Sequence, residues 1–401
     1  MIFLLIIEKI SRYHRKKKMI PRYKNKKISE IWSIDNKLNT WLNVELAHLS
    51  ALNSNIVDKT INQREYDTVI DNIKIDKDRW KEIESETKHD LQAFVQMLEE
   101  SIPDNSGRWI HYGLTSSDVL DTSLTLMCRD SLKEIASNCA SCIFYINQQI
   151  NSEKSKTNIL ARTHGKSAEI QTYKDVFLRW KFLMQRAYDE IIKAQKTVNK
   201  GKLSGPTGNY TTNSILNENI ALNALGLRSI TSSQIIPRDI YLDYFYSILK
   251  VMLAVEKISY DIRMYSIDGI NEMSESFSNG QKGSSAMPHK KNPVGCENLC
   301  GIARLYKSYF QTAIDNCFTL FERDLSNSSP ERVIFKDSAH VACYSLERLS
   351  NIINRLVVEE ENANNNVEKY RSKIDSQNLM NNLIKEGSSR KESHDLAQKN
   401  S

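Results

Sequence analysis

Residues that break regular structure are scarce in this chain. Its 401 residues include only 13 Gly and 7 Pro, about one residue in twenty, roughly half the average usage of the two. An α/β fold needs a turn about every ten residues, so the scarcity disfavours it and points to a few very long helices. Cysteine is sparse and unpatterned, seven residues with a single CxxC pair at Cys139 and Cys142. No second CxxC or matching His pair accompanies it, which argues against zinc and against an extracellular disulfide framework and suits a reducing, cytoplasmic compartment. Long apolar runs are missing as well. The opening MIFLLII is seven residues long, too short to span a bilayer, and its basic run follows the apolar stretch, whereas a signal peptide carries its charge in front.

An excess of one charge sign is also lacking in most of the chain. The formal net charge is +6, yet ten of the 55 Lys and Arg and only one of the 49 Asp and Glu fall within residues 1–27, which leaves 45 basic against 48 acidic residues in the rest. A basic groove for nucleic acid would need its charge spread over the folded part, so no nucleic-acid partner is expected. Residues 1–18 read as an N-terminal extension outside a fold that starts near Met19. With 40% hydrophobic and 26% charged residues, the body is an ordinary globular chain, not a disordered or collagen-like one.

What is present is a set of long uninterrupted rods. Proline is absent from 104–205, 238–287 and 331–401, and glycine from 114–164, 166–200, 227–268 and 302–386. From 239 to 268 the apolar residues Phe245, Leu249, Met252, Val255, Ile258, Ile262 and Tyr265 step by three or four, the helical period, with Ile248, Val251 and Leu253 widening the stripe. If 117–150 forms one helix, it is about 50 Å long at ~1.5 Å per residue. The loop before it (His111, Thr115, Ser116) and the loop after it (Thr163, His164) then lie at opposite ends of one subunit, and a site using both must be assembled from different chains. Glycine and proline concentrate at 103–113, 201–208, 280–283 with 288–295, and more weakly around Gly165. Those loops are where binding residues are expected.

The richest of them, residues 280–293, reads GQKGSSAMPHKKNP. By composition it is either a solvated basic linker or a site loop, with a hydroxyl pair, two cations, an amide and a Pro able to start the next helix. Its SSAMPHKKNP portion (284–293) closely resembles the signature loop of the fumarase and aspartase superfamily, and MPHK narrows the resemblance to the adenylosuccinate lyase family and its near relatives. Further segments match the same family in the same order: Arg22 and Tyr23, ETKHD (86–90), WIHYGLTSSD (109–118), RTHG (162–165) and ERDLSNSSPER (322–332).

The resemblance implies an all-α chain in three parts: residues 19–114 as an N-terminal helical domain, 115–363 as a central bundle of long helices that tetramerises, and 364–401 as a C-terminal helical domain shorter than the family's usual one. It implies a cofactor-free and metal-free cytoplasmic lyase that removes fumarate from adenylosuccinate and from a related imidazole carboxamide ribotide in purine synthesis. The base would be Ser284 and the acid His164, with Glu297 as carboxylate partner of that imidazole and His89 as the runner-up acid. A serine is a poor base unless nearby positive potential helps to deprotonate it, which Lys290, Asn292 and backbone N–H groups of the loop could supply. Ser285 is the second hydroxyl of the pair.

Residues Lys88, His89, Asp90 and His111 fall in matching substrate-contact segments, and Gln234 in a looser match, SSQIIPRD (232–239). The spacing of Thr115 and Asp118 is an ordinary helix cap, and the same helix start would take the succinyl carboxylates with Thr115 and Ser116. Arg22, Tyr23, Arg323, Ser328 and Arg332 match positions that hold the phosphoribosyl part, for which forked guanidinium donors are suited. Lys88 stands where Arg is usual, Asn327 replaces a usual His, and Ile170 and Gln171 also depart from the pattern. An argininosuccinate lyase or a carboxymuconate cycloisomerase of the same superfamily is the nearest enzymatic alternative, and a non-catalytic paralogue that only binds or assembles is the alternative from another class. For the lyase reading, the resemblance implies a small nucleotide substrate and three further copies sharing sites as partners, with no membrane.

Overall fold

A computed structural model of the chain describes residues 19–54, 60–277, 280, 283–284 and 286–400. The expected N-terminal extension, 1–18, lies outside the described residues. Fourteen α-helices run through those that are described: α1 Lys26–Ile31, α2 Ile34–Leu52, α3 Gln63–Asn72, α4 Lys77–Thr87, α5 Asp90–Glu100, α6 Ser116–Ile150, α7 Tyr173–Thr197, α8 Ile215–Ala224, α9 Asp239–Tyr265, α10 Val294–Asp315, α11 Ser328–Asn354, α12 Glu360–Ile374, α13 Ser376–Lys385 and α14 Arg390–Lys399. Short polar residues start many of them, because a side-chain oxygen can take the backbone N–H that the first turn leaves unpaired. Asn25, Ser33, Asn62, Asp76 and Ser214 all do so. The Pro-free and Gly-free stretch after residue 114 is one 35-residue helix, α6.

The chain divides into two compact units. The first takes the residues up to Ala136 with Glu190–Leu249 and Tyr306–Tyr344; the second takes Ser137–Asp189, Lys250–Leu305 and the residues from Ser345 onward. In the first, the apolar stripe of α2 (Leu38, Trp41, Val44, Leu49) buries against α5 (Leu91, Phe94, Met97, Leu98) and α8 (Ala221, Leu222). A cluster of rings, Tyr241, Tyr244, Phe245 and Phe335, with centroids 4.8–5.6 Å apart, forms a second nucleus of the same unit.

In the second unit two strands, β1 Asn158–Thr163 and β2 Lys166–Thr172, pair antiparallel, and α12 packs on both. Composition gave no sign of this hairpin in a helical chain. Its signal was local: two residues, His164 and Gly165, link the strands, both at positive φ (54° and 75°), the geometry that lets a two-residue turn follow the twist of its strands.

The stripe expected on α9 is buried at Phe245, Ile248, Met252, Val255, Ile258 and Ile262. Leu249 and Tyr265 of that stripe are only partly buried, and Leu253 is 40% exposed. Leu253 lies in line with exposed Tyr246 and Tyr260, seven residues to either side, so it belongs to a second, outward stripe. Among the described residues no helix is long and apolar enough to cross a membrane.

Candidate active site

The first unit contains an open cavity of about 300 Å³. Its wall carries five cations (Lys37, Arg238, Arg323, Arg332, Lys336), three carboxylates (Asp90, Asp121, Glu331) and an apolar side formed by Trp32, Trp41 and Phe335. The carboxylates are committed to particular cations. Arg238, nearly completely buried, forks between Asp121 (2.6 and 3.1 Å) and Glu331 (2.9 and 3.2 Å). Burial would lower the pKa of Arg238, but the two carboxylates outweigh it and the net shift is upward. Burial in turn pushes Glu331 up, against the pull of Arg238. Lys37 meets Asp90 at 3.0 Å and stands over the Trp41 ring.

Arg323 is placed differently. It donates to neutral oxygens: the Asp324 carbonyl (2.7 Å), Asn327 Oδ1 (3.0 Å) and Ser328 Oγ (3.1 Å). Burial, and then repulsion from Arg238, depress its pKa. A guanidinium under that repulsion gains most from an added anion, and a wall with more cations than carboxylates favours one. Asn327, itself buried, passes a hydrogen bond on to Glu331 at 3.1 Å. The segment ERDLSNSSPER thus folds its cations around one hollow.

The start of α6 is built in the same unit. The Thr115 N–H donates to Asp118 Oδ2 at 2.8 Å, so the capping reading of this pair is correct. The other oxygen of Asp118 is paired with Lys202, and both side chains are fully buried. Gly113 (φ 73°) must be glycine, because a Cβ there would lie 2.3 Å from the Thr212 carbonyl oxygen. The Thr212 hydroxyl also donates to the Gly113 carbonyl at 2.8 Å. The 201–213 loop therefore braces the WIHYG segment, leaving His111, Thr115 and Ser116 partly exposed.

The second unit displays its chemistry at the ends of anchored loops. At the root of the β1–β2 hairpin, Arg162 grips Glu272 with both arms (2.7 and 2.9 Å), and Glu272 is fully buried. Asn366 donates to the same carboxylate at 3.0 Å, and the Tyr173 hydroxyl donates to the Glu272 carbonyl. His164, at the tip, is exposed. In the signature loop, the Gly283 carbonyl accepts from Asn292 Nδ2 at 2.9 Å, and a Cβ on Gly283 would fall 2.1 Å from the Lys290 carbonyl oxygen. Within this folded-back loop the Ser284 Oγ accepts the N–H of Ala286 (3.3 Å) and of Met287 (3.1 Å). Lys290 is exposed beside it, and Glu297 is exposed on the first turn of α10. Ser285 lies outside the described residues.

Of the remaining expected positions, Arg22 is exposed in a short turn, and the Tyr23 ring packs edge-on against Tyr344 at 5.0 Å. Lys88 caps α4 in the left-handed conformation (φ 57°) and donates to the Ser85 carbonyl, while His89 Nδ1 caps α5 by accepting the Gln92 N–H at 3.2 Å. The Gln234 N–H meets the Glu322 carbonyl at 3.3 Å. Asp90, Arg323, Ser328 and Arg332 share the cavity wall. Sequence reasoning missed Lys37, Asp121, Arg238 and Glu331 of that wall, as well as Glu45, which holds His111, and Lys202, which pairs with Asp118. Glu45 had a signal, an acid inside the apolar run WLNVELA (41–47).

A family profile described as Lyase matches residues 11–305. The chain belongs to the lyase family. Two relatives in this family are the adenylosuccinate lyase of Thermotoga maritima, 35% identical over 95% of this chain and 88% of its own, and that of Bacillus subtilis, 34% identical over 95% and 87%. Among solved structures, a fumarate lyase from Mesorhizobium sp. BNC1 superposes with a TM-score of 0.83 at 19% identity, covering 95% of this chain and 87% of that one. The β-carboxy-cis,cis-muconate cycloisomerase of Acinetobacter calcoaceticus superposes with a TM-score of 0.78 at 20% identity, over 94% and 85%. These two share the lyase-family fold, which is the helical architecture the signature loop implied.

Proposed function

We propose that the chain is a cytoplasmic adenylosuccinate lyase, which eliminates fumarate from adenylosuccinate to leave AMP and from SAICAR to leave AICAR. In this reaction Ser284 acts as its alkoxide, and the carbon next to a carboxylate gives its proton to that oxygen, which becomes the neutral hydroxyl. The electron pair becomes the C=C bond of fumarate, the C–N bond breaks, and His164 protonates the departing amine. The observation that carries the reading is the Ser284 hydroxyl with two backbone N–H groups already aimed at its oxygen. Donors in place before the reaction stabilise charge on that oxygen without reorganising. The Lys290 ammonium is suited to the doubly charged carboxylate that forms as the proton leaves, and Glu297 to holding the His164 imidazole.

Arg323, Ser328 and Arg332 would take the phosphoribosyl part, Arg22 and Tyr23 completing that end, and Thr115 and Ser116 the succinyl carboxylates. The cation-rich wall around Arg323 favours a phosphorylated substrate over argininosuccinate. Ser284→Ala should bind AMP normally while turnover falls by about a hundredfold or more. Near-normal turnover would refute Ser284 as the base, and a wild-type protein that turns over argininosuccinate or a carboxymuconate instead would replace the substrate.

We also infer a homotetramer with sites shared between chains. Helix α6 is about 50 Å long at ~1.5 Å per residue, which supports sites that draw on the ends of different copies. The exposed heptad stripe of Tyr246, Leu253 and Tyr260 on α9 supports helix packing between copies. The seven cysteines form no disulfide, as suits a reducing compartment.

A further inference from the structure

A buried carboxylate of the first unit holds one histidine, and a second buried histidine lies one helical turn away. Glu45 of α2, 1% exposed, accepts the backbone N–H of His111 at Oε2 (2.9 Å) and meets the ring Nδ1 of His111 with Oε1 (2.7 Å). One helical turn along α2, the buried His48 presents its Nε2 to the Tyr112 carbonyl oxygen at 2.9 Å, next in sequence to His111. His111 has φ 61°, a conformation that a residue with a Cβ rarely adopts. In that conformation its N–H bonds to Glu45 and its carbonyl accepts the Leu114 N–H at 3.1 Å.

A carboxylate only accepts hydrogen bonds, so Nδ1 of His111 carries a proton. The protonation state of the opposite nitrogen then decides what the outward edge of the ring offers: a donor in the imidazolium, a lone pair in the neutral ring. The His111 side chain keeps 19% of its surface exposed and lies four residues before Thr115, where the α6 N-terminus begins.

We propose that Glu45 is a positioning residue, which fixes both the left-handed backbone and the charged ring of His111 so that its outer N–H is presented to an oxyanion of the substrate. The inference rests on the lyase activity proposed above. The charged groups facing His111 are Glu45 and His48 from α2 and Asp118 from α6, the last neutralised by Lys202. Burial alone would lower the pKa of His111, but the hydrogen bond and charge of Glu45, followed by the charge of Asp118, turn the net shift upward. Burial lowers that of His48, against weaker pulls from the Tyr112 carbonyl and Glu45, so the two rings are shifted in opposite directions.

The decisive variant is Glu45→Gln, nearly isosteric and uncharged. Without the carboxylate, burial should dominate and His111 should lose its proton at neutral pH. KM for adenylosuccinate is then expected to rise about tenfold or more near pH 8 and to recover toward the wild-type value near pH 6, with kcat changing far less. Glu45→Asp, which keeps the charge, should regain part of the affinity. Inhibition by fumarate and by AMP, measured in the same buffers, assigns the anion as a carboxylate or a phosphoryl group by which constant follows pH. A KM that rises equally at both pH values, or does not rise, overturns the proposal and leaves Glu45 a structural acid.

Histidine-selective NMR titration of the wild-type protein, with His111→Asn to assign the resonance, reads the ring directly and needs neither turnover nor a folded Glu45 variant. A His111 ring that titrates at or below the ordinary histidine value also overturns the proposal. A wild-type protein inactive on adenylosuccinate sinks the proposed activity while leaving this titration to judge the pair.

Discussion

The two units handle charge in opposite ways. In the first, ionic groups are buried in closed pairs and networks: Arg238 between Asp121 and Glu331, Lys202 on Asp118, His111 on Glu45. In the second, one buried pair, Arg162 with Glu272, fastens the root of a hairpin, and the side chains assigned to the chemistry, His164 and Ser284 with Lys290, stand on turns at or near the surface. Groups that hold a ligand benefit from low dielectric and fixed geometry, and removing one partner of such a pair leaves a charge with no water to solvate it. Groups on exposed turns carry little of the fold, so they are free to be chosen for reactivity.

The sharpest way to break this comparison is Arg238→Leu. It strands Asp121 and Glu331 in the cavity wall and should destabilise the protein by about 3–5 kcal/mol, read as a lowered urea midpoint. A loss comparable to that of a surface substitution would show that the network is not a structural element at all.

A smaller effect comes from His340, fully buried in the first unit, whose Nδ1 accepts the Asn25 N–H at 3.1 Å. Burial first, then Lys336 and Lys24, drive its pKa down to about 4. The folded value lies below the unfolded one of about 6.5. The neutral ring therefore contributes stability that is complete above about pH 6.5 and is lost as the pH falls toward 4, amounting to about 2 kcal/mol by pH 5. His340→Gln retains an acceptor but cannot titrate, so its melting temperature should drop less than that of the wild type between pH 7 and pH 5. Identical drops would remove His340 from the account.

At the hairpin tip the expected cost is less again. Gly165→Ala adds a Cβ that meets nothing within 4 Å, so only its φ of 75° opposes the change. The loss should be about 1 kcal/mol, while turnover should fall more steeply because His164 shares the turn. A stable variant of unchanged turnover would mean the turn geometry does not set the His164 position. Least of all is expected from Arg79→Ala, which breaks a solvent-exposed ion pair with Glu100: a calorimetric scan should show no resolvable shift.

Much of the architecture was legible because it follows from what is missing. Without Gly or Pro nothing interrupts residues 116–150 or 239–265, and both are single helices. Leu253 was misread for the same reason that periodicity works: a stripe records which residues are apolar, and on α9 both the inward face and the outward heptad line are apolar. The hairpin was hidden because its strands are short and its one strong signal, a two-residue turn ending in Gly165, is weaker than a run of alternating side chains.

The signature segments named Arg323, Ser328 and Arg332 together. They could not name Arg238 and Lys37, which reach the same wall from the residue before α9 and from α2.

Order along the chain thus determined the helices and the family, since those depend on local spacing and on short motifs. Only the tertiary structure decided which charges are paired with an opposite charge and which face a like one. Whether Arg323 faces another cation, or His111 a buried acid, depends on residues brought together from more than sixty positions away, and burial sets how strongly each charge is felt.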